Sequence, residues 1–246
     1  MRILALETST EFCSCALSID GVMRESHVRA GQAHSDLLLP AVARLMAEAG
    51  LGFAQLDAIA FGAGPGSFTG LRIACGAAQG LAFAHDLPVL PVVSLMALAE
   101  GMDTGIDARR TATHVISALD ARMGELYLAA YERVGTDWRA MLAPGLAKAD
   151  DLPVLPARSD WQGVGSGFAV CGAALTARYD VQNIDATAVP RAAAIATIAL
   201  RAMARGEALA AHQAAPLYVR DKVALDVNEQ AALRARNARH AAADRA

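Results

Sequence analysis

Several chemistries are excluded by what this 246-residue chain lacks. It has four cysteines, Cys13, Cys15, Cys75 and Cys171, and no two are spaced C-x-x-C. Cys13 and Cys15 lie two apart on a predicted strand, so they share a face and are poorly placed to bridge each other. They read as small reduced core side chains. The six histidines (His27, His34, His85, His114, His212, His240) show neither H-x-x-x-H nor H-E-x-x-H spacing, so a helix-borne metal pair is absent. No apolar run reaches the ~18 residues of a membrane span without Gly, Pro or charge interrupting it. The opening MRILALETS meets Glu7 too soon for a signal-peptide core, and the expected location is the cytoplasm. Positive charge is not in excess: 22 Lys and Arg against 25 Asp and Glu give a net charge of −3. Unaided grip on nucleic acid needs clustered cations, so that function is disfavoured. Apolar residues, by contrast, make up 54% of the chain. That surplus suggests surface reserved for a partner, in a chain long enough for one large domain or two modest ones.

The most informative stretch is Leu56 to Ala84, LDAIAFGAGPGSFTGLRIACGAAQGLAFA. Ile59 to Phe61 predicts a short buried strand. Gly62, Gly64, Pro65 and Gly66 then form a tight loop, and Ser67 or Thr69 can cap the helix that follows. A glycine-rich turn before a helix N-terminus is an anion-binding geometry. However, Gly70 is followed by Leu71 where a phosphate-cradling loop needs Lys, and Ser67 stands where G-x-G-x-x-G needs its third glycine. The plainer reading is a turn that lets helix and sheet pack closely. The helix itself carries Arg72 as its only charge. Leu71, Ala74, Cys75, Ala78 and Ala82 make one apolar stripe, while Gly76, Gln79, Gly80 and Phe83 lie on the other side. A sheet covers only one face of a helix, so the second face needs a cover of its own.

Along the chain, strands are predicted at Ile3–Leu6, ending at Glu7, at Cys13–Ile19 and at Val22–Val28, with Asp20-Gly21 as the hairpin turn. A helix with Leu38, Val42 and Leu45 on its apolar face follows, stopped by Gly50, with a kink or a later start expected at Pro40. Strand Val89–Val93 and helix Ser94–Glu100 complete a βββαβαβα unit, an RNase H-like lobe spanning 1–102. Gly101 to Arg110 reads as a polar linker. His114–Leu119, Asp120, a turn at Gly124 and Glu125–Tyr131 then repeat the opening order of strand, acid, turn, strand, which suggests a duplicated lobe. This second lobe, 103–224, reads as reduced: loop from Pro144 to Pro156, a strand at Phe168–Cys171 and a short helix at Gly172–Arg178. Pro190 opens a clear helix containing Ile195 and Ile198, which can pack back on the first lobe, and Gly206 ends it. Pro216 to Ala224 is extended, and 225–246 is an Ala/Arg-rich tail.

Two such lobes, an acid ending the first strand and a capped Gly-rich helix entry resemble the actin-like, sugar-kinase and Hsp70 superfamily. The strings ILALETST, GAGPGSFTGLRIACGAAQGLA, ALDARMGELYLA and APLYVR more closely resemble the TsaB (YeaZ) family, accessory subunits in bacterial tRNA threonylcarbamoyladenosine synthesis. The resemblance runs from Met1 to Val223. It implies a non-catalytic scaffold whose TsaD-type partner holds metal and ATP and modifies N6 of adenosine 37 in tRNAs reading ANN codons. No cofactor is then expected in this chain, a TsaE-type ATPase and tRNA join through the complex, and a homodimer of the lone chain stays open. The family's partner helices fall here on His34–Ala49 and Ser67–Ala84. They place the contact at Leu38, Val42, Leu45, Arg72, Gly76, Gln79, Gly80 and Phe83, beside the entry loop of Gly64, Gly66, Ser67 and Thr69. Where that family commonly ends its first strand in Asp, this chain has Glu7, which weakens any nucleotide role. The competing reading is an ATP-dependent phosphotransferase using Glu7 and Asp120 as its two cleft acids, but the second lobe lacks a clear phosphate loop. A metallopeptidase lacks its histidine pair. Asp120-Ala121-Arg122 reads as an internal salt bridge, with a contact across the lobes as the alternative.

Overall fold

The computed structural model describes residues 1–102 and 112–220. Most of the predicted linker and all of the predicted tail therefore lie outside the described residues. The first sheet is built from β1 (Arg2–Glu7), β2 (Phe12–Ile19), β3 (Val22–Arg29), β4 (Ala58–Gly64) and β5 (Val89–Val93) in the order β3-β2-β1-β4-β5. β1 pairs antiparallel with β2 and parallel with β4. The second sheet contains β6 (His114–Arg122), β7 (Glu125–Val134), β8 (Asp137–Lys148), β9 (Trp161–Val164) and β10 (Asn183–Asp185). Its order, β10-β9-β6-β7-β8, is the same pattern repeated, with β6 antiparallel to β7 and parallel to β9. The repeat read from strand, acid, turn, strand is thus a repeat of topology, and the fold is a pair of RNase H-like lobes.

Local chemistry accounts for the main turns. Asp20 and Gly21 both have positive φ (49° and 91°), the twist a two-residue hairpin requires. Gly50 ends α1 (His34–Ala49) in the left-handed conformation at φ 66°. α1 begins ahead of Pro40 and runs through it, so it does not start at the proline. β4 extends beyond the predicted Phe61 to Gly64, because Gly62 is a strand residue: a Cβ there would overlap Oε2 of Glu7.

Period-2 alternation splits each central strand between two cores. Leu4, Leu6, Ile59 and Phe61 face α1 and α2 (Phe68–Ala84) on one side of the first sheet. Ile3, Ala5, Ala58 and Ala60 face α5 (Ala192–Ala204) on the other. In the second sheet Ile116 and Ala118 face α4 (Gly167–Tyr179), whereas Val115 and Leu119 pack against Leu95 and Leu98 of α3 (Ser94–Gly101). α3 therefore lies between the two sheets, with α5 beside it on the first.

Two second-lobe expectations are corrected. Asp137–Lys148 is a strand through Pro144; β8 is the sheet's edge and its pairing with β7 shifts register, which is where a proline is tolerated. Phe168–Cys171 is helical, not extended. The Phe168 ring lies over Gly163 of β9, and Cys171 departs from helical geometry (φ −131°), which disguises the helical period. Among the described residues no helix is long and apolar enough to cross a membrane.

Candidate partner surface and the cleft between the lobes

The entry loop is a packing joint. Gly64 has φ 119°, and a Cβ at Gly66 would lie 2.5 Å from the Ser9 carbonyl oxygen. At Gly70 a Cβ would overlap the Thr8 carbonyl oxygen. Only bare backbone lets the start of α2 rest on the β1–β2 turn. Ser67 is the residue that caps: its Oγ accepts from the Gly70 amide at 3.4 Å, while its own amide donates to Ser9 O at 2.7 Å. Thr8 Oγ1 donates to Gly70 O at 2.7 Å. Two amides that an anion would use therefore already have protein acceptors. Thr69 is exposed and does not cap.

A cleft of about 840 Å³ separates the lobes, lined by Ser9, Thr10 and Gly66 from the first and by Asp120, Arg122 and Ser166 from the second. The acid that ends β1 and the acid near the end of β6 differ in kind. Glu7 is 2% exposed and does not line the cleft. Its Oε1 accepts the Ser9 amide at 2.5 Å and its Oε2 accepts the Ser94 hydroxyl at 2.8 Å. Burial pushes its carboxyl above the ordinary value, against the opposing pull of those hydrogen bonds. Asp120 does face the cleft, but it accepts the Arg122 amide at 2.8 Å and pairs with the Arg122 guanidinium at 3.0 Å. That pair is internal to the second lobe, as its spacing predicted. Among the described residues no cluster of three His, Cys, Asp or Glu is arranged to hold a metal ion.

The described residues leave the outer face of α2 open. Leu71, Ala74, Cys75, Ala78 and Ala82 are buried against the sheet. Arg72, Gly76, Gly80 and Phe83 are exposed, Phe83 at 78%, and Gln79 is half-buried beside them. Among the described residues nothing lies within 4 Å of where a Cβ on Gly76 or Gly80 would be. α5 does not cover this face; it packs on the opposite side of the sheet.

The α1 residues need correction. Leu38, Val42 and Leu45 are 1%, 1% and 4% exposed and belong to the core beneath α1, so they cannot present a contact surface. The apolar stripe at helical spacing is the face that docks on the sheet, as it is in most globular helices. Arg44 reaches Ser26 and Arg24 reaches the Glu48 carbonyl, both over β3. Leu39 and Ala43, on the flank away from Arg44, are exposed. Spacing does not single out Leu39 and Ala43, because an exposed flank has no period of its own. Also missed was Tyr218, whose OH accepts from Arg72 Nε at 3.0 Å, although its string APLYVR stands out in the sequence.

The family model described as TsaD, tRNA N6-adenosine threonylcarbamoyltransferase, matches residues 23–236. The tRNA threonylcarbamoyladenosine biosynthesis protein TsaB of Escherichia coli is 35% identical, covering 91% of this chain and 96% of its own. TsaB of Haemophilus influenzae is 33% identical, with 91% and 95% covered. YeaZ from Pseudomonas aeruginosa superposes with a TM-score of 0.79 at 38% identity, covering 88% of this chain and 99% of its own. A second P. aeruginosa structure, described as an uncharacterized protein with similarity to peptidase YeaZ, gives a TM-score of 0.80 at 38% identity, with 89% and 99% covered. With the doubled topology and near-complete coverage in both directions, this chain belongs to the TsaB (YeaZ) family of tRNA threonylcarbamoyladenosine biosynthesis proteins.

Proposed function

We propose that the chain is a cytoplasmic, non-catalytic scaffold. It binds a TsaD-type catalytic subunit, supports threonylcarbamoyl transfer to adenosine 37 of tRNA, and holds no metal or nucleotide itself. The observation that carries this reading is the open outer face of α2. Seventeen residues long and with one charge, the helix buries one stripe and leaves Arg72, Gly76, Gly80 and Phe83 uncovered among the described residues. Gly76 and Gly80 sit one turn apart with bare backbone, which allows a foreign helix to approach closely. Phe83 supplies an aromatic anchor of the kind that dominates interface energetics. Leu39 and Ala43 of α1 extend the same surface. The buried and hydrogen-bonded state of Glu7 supports the non-catalytic part: the acid ending β1 is turned away from the cleft, and the phosphotransferase reading needs it there.

Size-exclusion chromatography of the chain alone, and mixed with its cognate TsaD-type subunit, tests the reading. A shift to a joint peak that Phe83→Asp abolishes is expected, with tRNA left unmodified by the lone chain given threonylcarbamoyl-adenylate and metal. Separate elution of the two proteins, or turnover by the lone chain, would refute it. A TsaE-type ATPase and tRNA then join through the catalytic subunit.

A further inference from the structure

Beyond α5 the chain returns to the cleft, and its last described residues pass from one lobe to the other. The Leu217 amide donates to Ala63 O of β4 at 2.7 Å. Room for this comes from Gly64, where a Cβ would lie 2.9 Å from Leu217 O. The Tyr218 ring packs on Phe68 of α2 with centroids 5.3 Å apart, and its OH accepts from Arg72 Nε at 3.0 Å. Arg72 in turn stacks on the Phe68 ring at 3.9 Å. Two residues later the chain is bonded to the second lobe. Arg220 Nη2 donates to Ala121 O at 2.9 Å and pairs with Glu125 Oε2 at 2.6 Å. The side chains of that pair are only 17% and 21% exposed, so solvent screens it less than a surface pair.

A second set of ties lies at the other end of β7. Glu100 of α3 accepts from Trp138 Nε1 at 2.9 Å and pairs with Arg201 of α5 at 2.7 Å. Arg201 and Arg205 both pair with Asp137, at 3.0 and 2.9 Å. β7 starts at Glu125 and ends at Val134, just before Asp137. Its ten residues separate the two sets of ties by roughly 30 Å at the usual strand rise. Between the two sets the second sheet rests on α3 through Val115, Leu119, Leu95 and Leu98; sliding at such an apolar contact lets the lobes rock, and directional ties at both ends of β7 oppose that motion where ties at Asp137 alone do not.

We propose that Leu217, Tyr218 and Arg220 form a clasp that holds the inter-lobe cleft at its observed width, with Arg72 on the outer face of α2 as its latch. Arg220 locks the second lobe, Leu217 and Tyr218 lock the first, and Arg72 makes the lock accessible from the exposed helix face. The α3–α5 network at Glu100 and Asp137, with the apolar contact of α3 on the second sheet, is the hinge about which the lobes rock when the clasp is open. The inference concerns the lone chain and stands whether or not a TsaD-type subunit binds.

The test uses full-length protein with nitroxide labels at Gln32→Cys and Val170→Cys, one on each side of the cleft, in a Cys171→Ala background. A narrow distance distribution is expected with Arg220 present. Arg220→Ala should broaden it toward longer distances, and Glu125→Gln, which removes the pair from the other side, should do the same. Hydrogen exchange at the Leu217 amide should accelerate about tenfold in both, while amides of β1 and β4 keep their protection. Arg72→Ala should reproduce the broadening although it touches neither Arg220 nor the second lobe. Distributions in Arg220→Ala and Glu125→Gln that superimpose on the parent would overturn the clasp, and an unchanged Arg72→Ala would remove Arg72 as its latch.

Discussion

Three glycines of one helix give a demanding test, because the same substitution should act in opposite directions. Gly76 and Gly80 are exposed, and a Cβ on either meets nothing within 4 Å among the described residues. In the interior of a helix, replacing such a glycine by alanine removes an entropic penalty of about 1 kcal/mol. For a chain of this size that raises the melting temperature by roughly 2–4 °C per site. Gly70, six residues earlier than Gly76, is buried, and its Cβ would overlap the Thr8 carbonyl oxygen. Alanine there must push α2 off the β1–β2 turn. Overpacking costs roughly 1–3 kcal/mol. Displacing the Thr8 Oγ1 bond to Gly70 O costs about 1 kcal/mol more. Helix propensity returns about 1 kcal/mol, leaving a net loss of about 1–3 kcal/mol. Thermal unfolding of the lone chain, at concentrations where it elutes as a monomer, checks all three. The expected outcome is a higher melting temperature for Gly76→Ala and Gly80→Ala and a lower one for Gly70→Ala. A fall for Gly76→Ala or Gly80→Ala would show that the face is covered within the folded chain, and the partner surface would have to lie elsewhere. Gly80→Arg extends the test to function. It should leave the monomer folded, yet weaken binding of the TsaD-type subunit at least about a hundredfold, since a buried unpaired charge costs several kcal/mol.

Leu38→Ala should destabilise the lone chain by about 2–5 kcal/mol whether or not a partner is present, because it opens a cavity in the core beneath α1; a stable variant that had lost only binding would return Leu38 to the interface. Glu7 gives a pH signature. Its folded carboxyl is raised by burial, so between the unfolded carboxylate value and the folded one the native state binds more protons, and stability falls as pH rises through that window. Glu7→Gln should flatten this fall in denaturant titrations run across the acidic range, and an unchanged slope would mean the carboxylate is not the source. Calorimetry of the lone chain with ATP and magnesium should show no binding near 1 μM, a strength of roughly −8 kcal/mol; affinity at that level would revive the phosphotransferase reading.

Much of this was legible in the residues. The Asp20-Gly21 turn, Gly50 as a helix stop and the long apolar stretch of Leu56–Ala84 are local features, and local sterics decide them. The duplication was legible because strand, acid and turn recur in order around Glu7 and Asp120. The single charge in α2 also pointed to a second face that the sheet does not bury, and the described residues leave Arg72, Gly76, Gly80 and Phe83 exposed there. Other features depend on neighbours distant in sequence. β8 and the true extent of α4 were hidden because an edge strand with Pro144 and a helix broken at Cys171 lack clean periods. Spacing put Leu38, Val42 and Leu45 on one apolar face of α1, but only the packed sheet shows that this face is spent on the core and not left for a partner. Glu7 faces inward because Ser9, Gly62 and Ser94, brought together from three segments, make a pocket for its carboxylate. The clasp depends on distance in the same way: Arg220 finds Glu125 ninety-five residues upstream, and Tyr218 finds Arg72 one hundred and forty-six upstream. Short-range sterics and periodicity made most of the elements readable in the sequence itself. Burial, pairing and exposure are properties of what packs beside a residue, and only the folded chain brings those neighbours together.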